Sequence, residues 1–323
     1  MRMEILKKVK KGNKSNVLFI YMLICGVVKN SERSIERNIL LARQLGKDHG
    51  DKYKIVIYEN NSTDGTKAIL SKYQYDMDCK IIMEDIPEEV IKKTSRAWAY
   101  TSITGSDHPC RIEQIANARN RLIDEITTPA YESFSIVVMI DMDALHWDVN
   151  GVIDSVQYVK KNSKLVIYAN SQPYYDYFAL RRHKHTLFGP EVIGEAFWSA
   201  IEKDRVVCKD EMVSVYSAFN GIGVFHTSAF SKSRYSAIMS APVMETYEYL
   251  MKRHNDAYLE YANEIAQPCS KFPGGIVANG VCYKNNSGYD QPIICEHVPF
   301  NFQLLKHDYK IFINPKMMYY WSS

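Results

Sequence analysis

The chain has 323 residues, 46% of them hydrophobic, enough to bury a sizeable core as one large domain or two intimate lobes. Forty Lys and Arg against 37 Asp and Glu leave a formal charge of +3, which excludes a surface built to bind nucleic acid. Residues 1–14 carry Arg2, Lys7, Lys8, Lys10, Lys11 and Lys14 against Glu4 alone, a net of +5 that leaves the rest of the chain near −2.

That basic tail has two readings. It is a solvated extension or, with Met1, Ile5 and Val9 four apart, a short amphipathic helix in weak contact with an anionic membrane surface. Seven cysteines without CxxC spacing point to reduced thiols rather than a disulfide scaffold or a zinc site. Residues 17–28 form an apolar stretch, but a bilayer span needs about 20 residues. No small-residue cleavage pattern follows it, so no secretory leader is expected. The expected setting is cytoplasmic, at most peripheral to a membrane.

Strands and helices alternate through the first half. Residues 16–25 read as a strand, and 31–45 as a helix with Ile35, Ile39, Leu40 and Leu45 on an apolar face. A second strand is expected over 53–58, a polar turn over 59–65, a helix over 66–73 and a third strand over 80–84. Residues 86–110 show no clean period. A helix over 112–126, a fourth strand over 136–140, a helix over 149–160 and a fifth strand over 165–169 complete the pattern. Such alternation predicts a parallel sheet with helices on both faces.

The second half is less regular. It is aromatic and basic from "YYDYFALRRHKH" (174–185) to residue 210, and "VSVYSAFNGIGVFHTSAF" (213–230) reads as strand, glycine turn, strand. A helical stretch over 247–265, a loop rich in Pro, Gly and Asn over 267–292, a helix over 298–306 and a strand over 310–313 follow.

Three stretches carry chemistry. In "YENNSTDGTKAIL" (58–70), Ser62 or Thr63 is suited to cap the helix, Asp64 to meet its positive end and Gly65 to relieve the turn. Strand tips of this kind are also where open α/β sheets bind ligands. Capping leaves Glu59 and Asn60 unexplained, two hydrogen-bonding groups where a base or ribose would lie. In "ARNRLID" (118–124), Arg119 is four residues from both Ile115 and Ile123, so it faces inward. An inward arginine needs a partner, either a phosphate or an acid of the fold.

The third stretch, "VVMIDMDALHW" (137–147), is an apolar strand ending in Asp141 and Asp143, which the two-residue period of a strand puts on one face. They are solvated acids, the nucleophile pair of a haloacid-type phosphatase, or the ligands of a divalent cation bridging them to a diphosphate. The phosphatase motif usually opens its domain, whereas here three strands precede it. Hard oxygen ligands select Mg²⁺ or Mn²⁺, and such a cation lets two adjacent carboxylates coexist.

Together "ENNSTDGT" and the strand ending in "DMD" resemble a nucleotide-sugar glycosyltransferase of the GT-A fold. "ICEHVPFNFQLLKHDYKIFINPKMMYY" (294–320) resembles the segment that follows the acceptor site in such enzymes, and "CGVVKN" (25–30) the nucleotide-facing end of their first strand. Within that fold the chain is most similar to the cryptococcal capsule-associated (CAP59-like) mannosyltransferases and their bacterial and viral relatives.

The resemblance implies an α/β, Rossmann-like, mostly parallel sheet with helices on both faces and a smaller acceptor-side lobe. The tail 1–15 would precede a single domain over 16–323, with a nucleotide-sugar half (16–165) and an acceptor half (166–323). It implies that Lys29, Glu59, Asn60, Arg119 and Asp141 bind the nucleotide sugar, with Glu59 at the base. Asp141, Asp143 and His297 would hold Mn²⁺ or Mg²⁺. Glu296 and His297 stand where many inverting members have Glu-Asp, and would be catalytic. The implied donor is GDP- or UDP-linked and the acceptor a glycan, glycolipid or protein-linked glycan. Residues 174–178 and 181–210 are expected to shape the acceptor side, because aromatic faces suit sugar rings. The competing class is a non-catalytic glycan- or nucleotide-binding protein of the same fold.

Overall fold

The structure is a computed structural model that describes residues 19–96, 98–101, 106–204, 211–272, 274–285 and 292–321. The basic tail lies outside the described residues. Two βα units and a third strand open the chain: β1 (Tyr21–Val28), α1 (Ile35–His49), β2 (Lys52–Asn60), α2 (Thr66–Ser71) and β3 (Cys79–Glu84). The aperiodic insertion forms α3 (Glu88–Thr94) and a hairpin of β4 (Trp98–Thr101) and β5 (Ser106–Pro109). Then come α4 (Arg111–Ile126), β6 (Ile136–Ile140), β7 (His146–Trp147), α5 (Val149–Lys161) and β8 (Leu165–Asn170).

The second half contributes α6 (Pro190–Ile193), α7 (Ala196–Lys203), β9 (Val213–Val215) and β10 (Ile222–His226). The expected long helix is three: α8 (Ala241–Arg253), α9 (Asn255–Glu260) and α10 (Ala262–Ile265). A hairpin of β11 (Ile276–Ala278) and β12 (Val281–Tyr283), then α11 (His297–Leu305) and β13 (Lys310–Tyr320) close the chain.

The main sheet runs β3-β2-β1-β6-β10-β8-β13-β7, with β9 on β13. Strands β1, β2, β3 and β6 are parallel. β10 then enters antiparallel between β6 and β8. β9 and β10, read as strand–turn–strand, therefore pair with different partners and form no hairpin. The turn between them needs Gly221: its φ is +87°, and a β-carbon there would lie 2.5 Å from the Tyr319 ring.

The strands are buried on both faces, because alternate residues enter different cores. Leu23, Cys25, Val137 and Met139 pack with α4 and α11, whereas Met22, Ile24, Val138 and Ile140 pack with α1 and α5. Among the described residues no helix is long and apolar enough to cross a membrane.

The expectation of uniformly reduced thiols is corrected at one pair. Cys269 and Cys282, 13 residues apart, form a disulfide, while Cys25, Cys79, Cys110 and Cys295 are free and buried. No local spacing announces this pair. The β11–β12 hairpin folds back on the turn at Cys269 and brings the two Cα atoms to 5.4 Å.

Candidate functional site

The carboxyl ends of β1 and β2 lie side by side, Val28 paired with Glu59, so that Lys29 and Asn60 follow as neighbours. Lys29 is exposed and Asn60 half-buried. The two loops beyond are laced together. The Asn30 amide donates to Ser62 Oγ (2.9 Å), the Thr63 amide to Asn30 Oδ1 (2.8 Å) and the Ser31 amide to Thr66 Oγ1 (2.7 Å). The Gly65 amide donates to Glu32 Oε2 (2.7 Å).

Ser62 and Thr63 therefore join loops instead of capping α2, whose cap residue is Gly65; Asp64 Oδ1 accepts from the Thr66 amide (3.0 Å). Glu59 is fully buried beneath this turn. Its Oε1 accepts from the Ser62 amide (2.7 Å), and Oε2 has no hydrogen-bond partner among the described residues.

β6 ends at Ile140, one residue before the acid pair. The Asp141 amide donates to the Gly221 carbonyl (2.8 Å), and the chain turns so that the Ala144 amide reaches the Asp141 carbonyl (3.3 Å). The two acids consequently do not share a strand face. Asp141 points inward to Arg119, whereas Asp143 is exposed and its Oδ1 accepts from the Tyr319 hydroxyl (3.3 Å).

The turn is held from α1. Asn38 Nδ2 lies 2.9 Å from the carbonyls of both Met142 and Ala144, and Asn38 Oδ1 accepts from Trp147 Nε1 (3.0 Å). Ser34 Oγ donates to the Met142 carbonyl (3.1 Å) and Arg37 Nη2 to that of Ala144 (3.0 Å). Sequence reasoning passed over Asn38, although it lies three residues from Ile35 and four from Ala42 on the inner face of α1. Asn38→Ala is expected to cost about 2–3 kcal/mol, because buried carbonyls and the indole N–H lose their partner. Urea unfolding checks this; a midpoint equal to wild type would leave the anchor idle.

Arg119 links Asp141 to Glu296. It is 3% exposed, its Nη2 donates to Asp141 Oδ1 (2.8 Å), and its Nε lies 3.5 Å from Glu296 Oε1. The guanidinium stands 4.6 Å from the Phe219 ring centroid and 5.6 Å from that of Tyr235. Burial pushes the Asp141 carboxyl up to about 7; Arg119 opposes the shift and the Asp143 charge adds to it. Burial likewise raises Glu296, against the pull of Arg119.

His297 lies flat on Phe219 (centroids 4.0 Å apart, planes 16°) and edge-on to Tyr235 (5.4 Å). Burial, and then Arg119, push its imidazole well below the usual value, so the ring is neutral. Neither ring nitrogen has a hydrogen-bond partner among the described residues. Asp141, Asp143 and His297 do not converge as a ligand set. Among the described residues, the groups with coordinating atoms all within 4.8 Å are His183/His254/Asp256 and Asp76/Asp78/Cys79.

Aromatic rings border the acid pair. Tyr175 packs on Tyr319 (6.0 Å) and on Trp321 (5.2 Å). Burial, with the Asp141 charge next, raises the phenols of both Tyr175 and Tyr319. Three residues on, Phe178 lines a separate cleft of about 920 Å³ with Cys110, Trp198, Glu264, Lys271 and Lys284.

The family model described as cryptococcal mannosyltransferase 1 matches residues 19–263. The chain belongs to this family. No curated protein matches this family member. Among solved structures it is similar to residues 1–349 of S. aureus TarS, at 11% identity and a TM-score of 0.37, covering 72% of this chain and 56% of that one. It is similar to the mannosyltransferase PcManGT from Pyrobaculum calidifontis, in complex with GDP-Man and Mn²⁺, at 14% identity and 0.38, covering 68% and 48%. GalNAc-T7 with UDP, GalNAc and Mn²⁺ aligns at 9% identity and 0.46, covering 94% and 44%. The mannosyltransferase-family chain thus spans about half the length of these proteins.

Proposed function

We propose that this chain transfers a hexose from a GDP- or UDP-linked donor to a hydroxyl of a glycan, glycolipid or protein-linked glycan, with Mn²⁺ or Mg²⁺ held by Asp141 and Asp143. The observation that carries the reading is the acid pair itself. Asp141 Oδ1 accepts from Arg119 Nη2, no hydrogen bond among the described residues reaches Oδ2, and Asp143, two residues on, is exposed to solvent. Two carboxylates so placed, one already raised toward neutrality, suit a hard divalent cation. When bound, that cation offsets the negative charge gathering on the leaving diphosphate.

The chain's own residues do the rest. Lys29 and Asn60, adjacent at the sheet edge, meet the donor's phosphate and ribose. Glu59 serves the donor indirectly, by holding the 60–65 turn through Ser62. Arg119 is too deeply buried to clamp a phosphate; it positions Asp141 and Glu296 against one another. Glu296, raised by burial, takes the proton of the acceptor hydroxyl as that oxygen bonds to the anomeric carbon and the diphosphate leaves. His297, neutral and packed on Phe219, supports Glu296 and is left out of the metal set.

Titration of GDP- and UDP-sugars with and without Mn²⁺, together with release of nucleotide from the donor, tests the reading. Metal-enhanced binding and metal-dependent release are expected; a chain that binds no nucleotide sugar is not this enzyme. Glu296→Gln is expected to lower turnover roughly 10²–10⁴-fold with donor binding unchanged. Wild-type turnover in that variant would move the base elsewhere.

A further inference from the structure

Two imidazoles and a carboxylate meet far along the chain from the acid pair. His183 lies in the loop before α6, while His254 and Asp256 flank the junction of α8 and α9. One coordinating atom from each lies within 4.8 Å of the other two, and the two imidazole centroids are 4.4 Å apart. His183 Nε2 stands 3.5 Å from Asp256 Oδ2. That is long for a direct hydrogen bond. It matches the edge of about 3.4 Å in a tetrahedron drawn with Zn–N and Zn–O bonds of about 2.0–2.1 Å.

The surroundings hold the ligands in place. The Tyr216 hydroxyl bonds His254 Nε2 and fixes the ring, as outer partners do for metal-bound histidines. Arg182 Nε and the Thr186 hydroxyl both donate to Asp204, at 3.1 and 2.8 Å, which pins the loop on either side of His183. Between them Lys184 takes φ +81°, a conformation that L-residues rarely adopt. The other convergent group, Asp76/Asp78/Cys79, already has its cation: Arg43 donates to both Asp78 oxygens, at 2.9 and 2.8 Å, and to Asp76.

We propose that His183, His254 and Asp256 form a zinc-type site that staples the 181–187 loop to the α8–α9 junction, with water in the fourth position. Two imidazoles and one carboxylate favour Zn²⁺ over Mg²⁺, which takes oxygen ligands, and over Mn²⁺, which such a nitrogen-rich site binds more weakly. The site is thereby chemically distinct from Asp141 and Asp143 and independent of the transferase reading.

The full chain, stripped with EDTA and dialysed, is titrated with Zn²⁺ against a chromogenic chelator, and with Co²⁺ followed by its visible absorption as a report of tetrahedral geometry. One Zn²⁺ is expected per chain in wild type and in Asp143→Ala, unaffected by excess Mg²⁺. His183→Ala and His254→Ala should each weaken it at least tenfold and lose the Co²⁺ band. The His183 side chain is 44% exposed, so its removal leaves the fold intact, and thermal melts of both variants without metal verify that. Equal Zn²⁺ affinity in wild type and both histidine variants would overturn the proposal. Loss of zinc in Asp143→Ala would overturn it as well.

Discussion

Asp143→Ala is expected to lower turnover roughly 10²–10³-fold while the protein folds and melts almost as wild type does. Asp143 is exposed and its Oδ1 accepts a long hydrogen bond from the Tyr319 hydroxyl (3.3 Å), so little folding energy rests on it. An exposed substitution of this kind shifts stability by about 0.5 kcal/mol or less. The charge removed is one of the two proposed to draw a cation. Loss of transition-state stabilisation of about 3–4 kcal/mol corresponds to roughly 10²–10³-fold in rate. Calorimetric titration of GDP and UDP, with and without Mn²⁺, separates the effects. The metal should strengthen nucleotide binding in wild type and make no difference in the variant. An unchanged Mn²⁺ effect on binding would remove the acid pair from the metal site.

Arg119→Met is expected to have the largest effect on stability. The arginine is 3% exposed and faces two acids, Asp141 at 2.8 Å and Glu296 at 3.5 Å. Methionine fills much of the volume but leaves the buried Glu296 and the half-buried Asp141 carboxylate without a counter-charge. Breaking a buried pair in this way costs about 3–5 kcal/mol, a fall of about 4–7 °C in melting temperature for a chain of this size. Lysine is not a substitute, since a point charge cannot replace the planar fork that spans both acids. Adding Asp141→Asn and Glu296→Gln to Arg119→Met should recover part of the loss, because the remaining groups are then neutral. The recovery would appear as a coupling of about 0.5–3 kcal/mol. A single variant that melts within about 1 °C of wild type would show the ion pair to be idle.

Much of the first half of the chain was legible because its elements carry their own period. Ile136 to Ile140 are all buried, as an uninterrupted apolar run before a polar stop suggests. Arg119 is buried on α4, as its four-residue spacing from Ile115 and Ile123 indicates. The site's partners were not legible. Asn38 was hidden because its acceptors, the carbonyls of Met142 and Ala144, are 104 and 106 residues away. Glu59, expected at the base, is instead buried under its own turn, since the Ser62 amide three residues on captures it. The strand period failed at Asp141 and Asp143 because β6 stops at Ile140, where the Gly221 carbonyl takes the next amide.

The sequence alone thus determined which local segments repeat as helix or strand, that an acid pair closes a buried strand, and that an arginine faces inward. Each follows from neighbours within a few residues, where backbone geometry turns spacing into direction. Only the tertiary structure decided the pairings. It inserted β10 between β6 and β8, joined Cys269 to Cys282, and turned Asp141 to an arginine 22 residues away and Asp143 to a tyrosine 176 residues away. Contacts at such separations leave no period in the chain, because burial and packing choose the partner, and the spacing between the two residues carries no trace of that choice.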